Sequence, residues 1–413
     1  MNEKTNIFIR DRFTEFYDKE SYRIEAPASI KQREFGFLLF KEKVMVRHKN
    51  FGSVEELRSF LKNNVPLHVY YSTAYYEVPE EEMENKGWLG ADLYFDIDAD
   101  HIPTKCTKIH DIWVCSRCSF TGKGIKPEKC PVCGSQSFDE KTWPCEVCLE
   151  SAKQETIKLI NMLTQDFGFS KNEVMVSFSG QRGYHVHVEN EDVWKMDSMS
   201  RKEIVDYITE IGLEPELYGL GKVRSRKLRM FVGPSLNDFG WRGRIAKGTY
   251  EFLKDSTRDD LQHLGLKKKA IDAIIADKDA IVKSWQSSGP WNLIKGVGSE
   301  SWKLIAQQGL KSQSVKIDTV VTTDTHRLIR LANTLNGKTG LMKVAFPITH
   351  IEEFDPFKEA IAFKEDEATI IIEEAPQFRL GEENFGPFRR QRAELPMAAA
   401  ILLLCKGLAQ VAE

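Results

Sequence analysis

Seven of the eight cysteines in this 413-residue chain fall between Cys106 and Cys148, and six of them make three C-x-x-C pairs. A C-x-x-C turn presents two thiolates to one tetrahedral ion, so this stretch is constrained to fold around metal rather than around an apolar core. Paired spacing of this kind does not favour disulfides, which in any case belong to oxidising compartments. Cys115-x-x-Cys118, eleven residues and Cys130-Pro-Val-Cys133-Gly form a complete four-thiolate zinc ribbon. Cys145-x-x-Cys148 then lacks a second pair, and Cys106 and His110, spaced C-x3-H on the far side of the ribbon, supply it. The expectation is two structural zinc ions, with the ribbon nested inside a Cys106, His110, Cys145, Cys148 site. Cys405, on an apolar C-terminal helix, is read as packing.

Immediately before this cluster, Leu93-Tyr94-Phe95-Asp96-Ile97-Asp98-Ala99-Asp100 reads as a buried strand with carboxylates at alternate positions. Side chains two apart share a face, so Asp96 and Asp98 project together, and two close carboxylates repel unless a divalent cation lies between them. An isolated D-x-D also fits a strand that runs into an acidic turn. The remaining motifs weigh on that choice.

A formal charge of -3 with 29% charged residues excludes a general basic coat for nucleic acid, so a nucleic-acid site has to be a local groove. The length suits one large core with inserted modules, or roughly two to three domains of about 150 residues. The apolar run from Met397 to Leu404 is far shorter than the ~20 residues that span a bilayer, and no charged-then-apolar leader opens the chain. A cytoplasmic protein that is not inserted in a membrane is expected.

Helical periodicity is expected from Ala152 to Phe167, followed by a strand Val174–Phe178, the turn Ser179-Gly180-Gln181-Arg182-Gly183 and an alternating strand Tyr184–Val188. Two glycines around an arginine let backbone N–H groups approach an anion to which Arg182 adds charge-assisted hydrogen bonds, and phosphate is the anion expected. His185 and His187 share a face; one of them reaches the same site, or the pair forms a separate metal site. From Asp255 to about Lys316 the chain reads as short amphipathic helices with Trp285, Trp291 and Trp302, and its residues 293–298 loosely fit a helix-hairpin-helix turn. Ile317-Asp318 precedes a helix-like stretch from Asp324 to Leu335 with Arg327 and Arg330 on one face, then a turn at Asn336-Gly337-Lys338-Thr339-Gly340-Leu341.

In combination, Phe95-Asp96-Ile97-Asp98, the zinc cluster after it, Ser179-Gly180-Gln181-Arg182-Gly183-Tyr184-His185, Ile317-Asp318, Arg327-Leu328-Ile329-Arg330 and Gly337-Lys338-Thr339-Gly340 resemble the catalytic (small) subunit of the archaeal–eukaryotic type of DNA primase. Arg33-Glu34-Phe35-Gly36-Phe37, Val46-Arg47 and Leu403-Leu404-Cys405-Lys406-Gly407-Leu408 fit the same family. The resemblance implies a mixed α/β fold: a "prim" catalytic core in 1–100, 151–254 and 317–413, a zinc-binding insertion in 101–150 and a helical subdomain in 255–316. It implies that Asp96, Asp98 and Asp318 hold two Mg²⁺ or Mn²⁺ ions, and that Ser179, Arg182 and His185 contact the triphosphate of an incoming nucleotide. Arg47, Arg330 and Lys338 would add positive charge around it. The implied activity is nucleotidyl transfer: template-directed de novo synthesis of short primers on single-stranded DNA from NTPs or dNTPs, in a heterodimer with a large primase subunit. Asn336 stands where many relatives carry His, and the Cys115/Cys118/Cys130/Cys133 ribbon is additional to the usual single knob zinc.

Two other function classes fit parts of the sequence. A polymerase of the same superfamily, acting in repair or plasmid replication, would keep the acids and the Ser-Gly-x-Arg-Gly turn but usually lack the knob. A non-enzymatic zinc-ribbon nucleic-acid-binding protein would explain the cysteines and leave Asp96, Asp98, Asp318 and Arg182 idle.

Overall fold

The computed structural model describes residues 2–40, 45–225, 228–285, 289–291, 294 and 296–412, with backbone only at 224, 225, 228 and 229. Two compact units divide the chain. One comprises residues 1–157, 170–202 and 317–413; the other comprises 158–169 and 203–316. The second unit takes in the helical stretch 255–316 together with residues 203–254 and the segment Lys158–Phe169.

The first unit is mixed α/β. One four-stranded antiparallel sheet runs Leu328–Arg330, Pro66–Ser72, Phe35–Leu39, Met45–Lys49. A second runs Val344–Pro347, Val174–Phe178, Gly183–Val188, Leu93–Asp98. The period of two in Leu93–Asp98 is realised as burial: Leu93, Phe95 and Ile97 are fully buried, whereas Asp96 and Asp98 keep partial exposure. Truncating Phe95 to Ala would cost about 3–5 kcal/mol on that packed face. A third sheet, Phe388–Pro396, Glu367–Ala375, Ala409–Val411, packs with the apolar helix Met397–Cys405. The cysteine insertion carries its own three-stranded sheet, Thr121–Lys123, Ile112–Cys115, Phe138–Lys141.

The stretch read as a helix from Asp324 to Leu335 is not one. The helix Thr319–Thr323 stops at Asp324, whose Oδ1 accepts the N–H of His326 at 2.9 Å, and Leu328–Arg330 is a strand paired with Pro66–Ser72. A local Asx turn and burial of Ile329 in the sheet override the helical spacing of the two arginines.

In the second unit, the helices Gly240–Asp255 and Ser299–Gln313 approach so closely at Gly248 and Gly309 that a Cβ on Gly248 would lie 2.2 Å from the Gly309 carbonyl oxygen. Trp285, Trp291 and Trp302 are buried and stack edge-on in sequence at 5.3 Å, so they are core residues. The turn at 293–298 lies partly outside the described residues.

Candidate active site and metal centres

Leu93–Asp98 is an edge strand of its sheet, paired on one side with Gly183–Val188 so that Asp96 stands opposite His185 and Asp98 opposite Gly183. On the other side the N–H of Asp318 donates to the Asp96 carbonyl at 2.8 Å, which brings in an acid from more than two hundred residues away. Asp318 then caps the helix Thr319–Thr323, its Oδ1 accepting the N–H of Val320 at 3.0 Å. Asp98 likewise accepts the N–H of Asp100 at 3.0 Å. Each of these two acids therefore has one oxygen tied to its own backbone and one available. The three carboxylates are not drawn within 4.8 Å of one another as the cysteine donors are.

The electrostatics of this group are unusual. Asp96 is pushed up to about 7 by burial and by the charges of Asp98 and Asp318; burial and Asp100 raise Asp98. A cleft of about 210 Å³ opens on Asp96 and Asp98, lined also by Tyr70, Tyr94, Ser179, Gln181, His185, Arg327 and Arg330, and Asp318 stands outside that lining. His185 Nε2 lies 3.4 Å from Asp96 Oδ1, yet burial, Lys343 and Arg330 hold the imidazole well below its usual range and therefore neutral. Lys343, buried behind the cleft with its Nζ on the Arg330 carbonyl at 2.6 Å, is lowered to about 7 by burial and Arg330. A larger cavity of about 410 Å³, floored by Trp143 and Phe388, lies away from the acids and has no acid–base constellation of this kind.

The Ser179–Gly183 turn is built by its own side chain. Ser179 Oγ accepts the N–H groups of Gln181 (3.3 Å) and Gly183 (3.2 Å). Gly180 has φ +76, and a Cβ on Gly183 would lie 2.3 Å from the Ile97 carbonyl oxygen, so glycine is required for the turn to lie against the acid strand. Arg330 Nη1 donates to the Ser179 carbonyl at 2.5 Å while its buried Nε has no partner. The second turn closes on the first: Thr339 Oγ1 donates to the Gly180 carbonyl at 2.5 Å and Asn336 Nδ2 to the Ser179 carbonyl at 3.3 Å. Buried Asn336 also accepts the N–H of Lys338 at 3.0 Å, leaving the Lys338 side chain exposed. At this position an amide holds both turns together without charge.

Three of the expected cations stand outside the cleft lining, exposed Lys338 among them. Arg47 is paired with buried Glu34 at 3.0 Å and does not line the cleft. Arg182, 1% exposed, is paired with Asp111 at 2.6 Å and Asp100 at 2.9 Å. His187 faces Asp92 at 3.0 Å rather than joining His185 in a metal site, and Asp92 is already held by Arg33 and Tyr75. Sequence reasoning missed Tyr70, Tyr94 and Lys343. Tyr94 alternates with Asp96 and Asp98, so the strand period could have found it; nothing local marks Tyr70 or Lys343.

The cysteines form two sets of donors, each within 4.8 Å: Cys106, His110, Cys145, Cys148 and Cys115, Cys118, Cys130, Cys133. Sγ–Sγ distances are 3.4 Å for Cys106–Cys148, 3.5 Å for Cys115–Cys133 and 3.6 Å for Cys118–Cys130. Disulfides would need about 2.05 Å, while thiolates about 2.3 Å from a tetrahedral ion stand about 3.8 Å apart. His110 Nε2 sits 3.4 Å from both Cys106 and Cys148 Sγ. Both sets fit a closed four-ligand zinc site.

Comparison with known proteins decides the family. The family model for the DNA primase small subunit matches residues 134–349. The small subunit PriS of Methanothrix thermoacetophila is 34% identical over the full length of both chains, and that of Cenarchaeum symbiosum 33%, again over both full lengths. The chain belongs to the DNA primase small-subunit family. The PriS of Archaeoglobus fulgidus is similar as well, at 34% identity over 98% of each chain. As a primase small subunit of archaeal type it is a catalytic subunit and a nucleotidyltransferase-type enzyme of DNA replication, and its mixed α/β architecture with a cysteine-built insertion is that of the primase core. Among the described residues no helix is long and apolar enough to cross a membrane.

Proposed function

We propose that the cleft on Asp96 and Asp98, with Asp318 hydrogen-bonded to the same strand, is where this small subunit joins nucleotides, making short primers de novo on single-stranded DNA from NTPs or dNTPs with release of pyrophosphate. The observation that carries the reading is a pair of partly exposed acids two apart on one strand, one raised to about 7, in a cleft also lined by Arg327 and Arg330. Like charges confined this way are stabilised by divalent cations, and Asp96, Asp98 and Asp318 would hold two Mg²⁺ or Mn²⁺ ions. Bound there, the ions would supply Lewis-acid stabilisation of the attacking 3′-hydroxyl and of the leaving pyrophosphate in an in-line displacement.

The chain's own residues do the positioning. Ser179 Oγ takes up the turn's own N–H groups and so holds its shape, neutral His185 donates or accepts a hydrogen bond beside Asp96 without adding charge, and Arg330 lines the cleft with a guanidinium whose Nε has no partner. Exposed Lys338 adds a point charge on the turn that closes against Ser179 and Gly180. Arg47 and Arg182 contribute field rather than free donors, because both guanidinium groups are already ion-paired. The two cysteine sets would hold structural zinc, four protein ligands each and no open position. A primer-making role brings with it a large primase subunit as partner and a place with the cytoplasmic replication machinery at the nucleoid.

Primer synthesis on a bare single-stranded template tests this. Asp96→Asn and Asp98→Asn should each abolish synthesis at millimolar Mg²⁺ or Mn²⁺ without loss of folded protein, since removing one charge relieves repulsion. Near-normal synthesis in either variant overturns the assignment, and an inactive Asp324→Asn with an active Asp318→Asn would move the third acid.

A further inference from the structure

The insertion that carries the cysteines and the hairpin that carries Ser179 and Arg182 meet at one buried carboxylate, Asp111, which is 8% exposed. Its Oδ1 accepts from His110 Nδ1 at 2.8 Å and from the Trp143 N–H at 2.9 Å. Its Oδ2 accepts from Arg182 Nη1 at 2.6 Å. The other arm of Arg182 pairs with Asp100 at 2.9 Å, and the Arg182 carbonyl accepts the N–H of Ala99 at 3.1 Å. A continuous run of polar contacts thus connects a cysteine-set ligand to the residues that follow Asp98.

From this geometry we infer that Asp111 is a positioning residue with two functions. Toward the insertion, it binds His110 through Nδ1, which fixes the tautomer whose Nε2 lone pair faces Cys106 and Cys148; a carboxylate behind a ligating imidazole both orients it and raises its basicity. Toward the cleft, it anchors Arg182 as a strut that keeps the Ser179–Gly183 turn against the acid strand. Arg182 cannot leave for a phosphate without abandoning two carboxylates, one of them buried, and a buried charge stripped of its partner is strongly disfavoured. The second function rests on the nucleotide reading of the cleft; the first does not.

Asp111→Asn keeps the size and one acceptor oxygen and removes the charge. Zinc release from purified full-length protein to a chromophoric chelator is measured together with nucleotide KM, kcat and single-stranded DNA affinity. The expected result is release of one of two zinc ions roughly 10-fold or more faster, with nucleotide KM raised and DNA affinity unchanged. Asp111→Glu should recover part of both effects, and Asp111→Asn combined with Arg182→Gln should raise KM no further than either alone. Unchanged zinc release overturns the first function. Unchanged KM, or additive effects in the double variant, overturns the second. Asp96→Asn run in parallel separates failures: if it retains synthesis, the cleft reading falls while the zinc-release result still decides the first function. Should Asp111→Asn not accumulate as folded protein, Asp111→Ser, which also removes the carboxylate, carries the same measurements, with the same overturning results.

Discussion

The two cysteine sets share donor chemistry and differ in what stands behind them. Cys106, His110, Cys145 and Cys148 join chain segments about forty residues apart; Cys148 is fully buried, Arg182 Nη2 approaches its Sγ at 3.9 Å, and Asp111 backs His110. Cys115, Cys118, Cys130 and Cys133 close a short loop in a three-stranded ribbon in which Trp113 packs against Phe120 and Phe138, and Cys118 is exposed. The inner set is a cross-link inside the catalytic unit, and the outer set is a self-contained module. Ligand identity alone does not decide whether a metal centre affects catalysis; the residues behind the ligands do.

The most direct way to break this contrast is to remove each site. Cys145→Ser with Cys148→Ser should lose one zinc by metal analysis, destabilise the protein by roughly 4 kcal/mol or more, and abolish primer synthesis. Cys130→Ser with Cys133→Ser should lose the other zinc and retain synthesis. Equal effects of the two pairs would erase the difference, and a zinc count unchanged in either would dissolve that set.

Glycine substitutions probe the same contrast at smaller cost. Gly183→Ala would place a Cβ 2.3 Å from the Ile97 carbonyl oxygen, displacing the turn from the acid strand. A loss of about 1–3 kcal/mol with a larger fall in kcat/KM is expected in denaturant unfolding and steady-state assays. Gly122→Ala meets the Trp113 ring at 2.1 Å in the ribbon and should loosen only that module, leaving kcat/KM unchanged.

A pH series sharpens the point further. Asp96 is raised from 3.8 to about 7, so the folded state binds more protons than the unfolded state between those values. Its contribution to stability is present below about pH 4 and lost as pH rises through about 7. Without divalent ions Tm should therefore fall across that window, and Mg²⁺ or Mn²⁺ should raise Tm at pH 8 and have little effect at pH 5. Asp96→Asn should flatten the profile, whereas the ribbon double variant should leave it intact. The smallest effect concerns Lys123, paired with Glu374 at 2.9 Å with both side chains more than half exposed: Lys123→Ala should leave Tm and synthesis unchanged, because surface pairs of this kind are screened by solvent.

Much of the site is legible in the amino-acid sequence. The alternation of Leu93–Asp98 placed Asp96 and Asp98 on one face, and the C-x-x-C spacing sorted eight donors into the two sets found together. The strand–turn–strand from Val174 to Val188 was equally local. Reading failed where a neighbour overrode spacing. Arg327 and Arg330 carry helical periodicity, but pairing of Leu328–Arg330 with Pro66–Ser72 turned that segment into a strand. The basic look of Arg47 and Arg182 gave no sign that buried Glu34 and Asp111 already claim them.

Periods and fixed spacings set the strand faces, the knuckle turns and the positions where only glycine serves, all of them interactions within a few residues. Tertiary structure alone decided the rest. The hydrogen bond from Asp318 to Asp96, the descent of Lys343 to about 7 and the sharing of Asp111 between His110 and Arg182 each join residues remote in the chain, or depend on a dielectric that exists only once the core has closed. Burial and long-range pairing are properties of the packed solid, and a linear order of residues does not carry them.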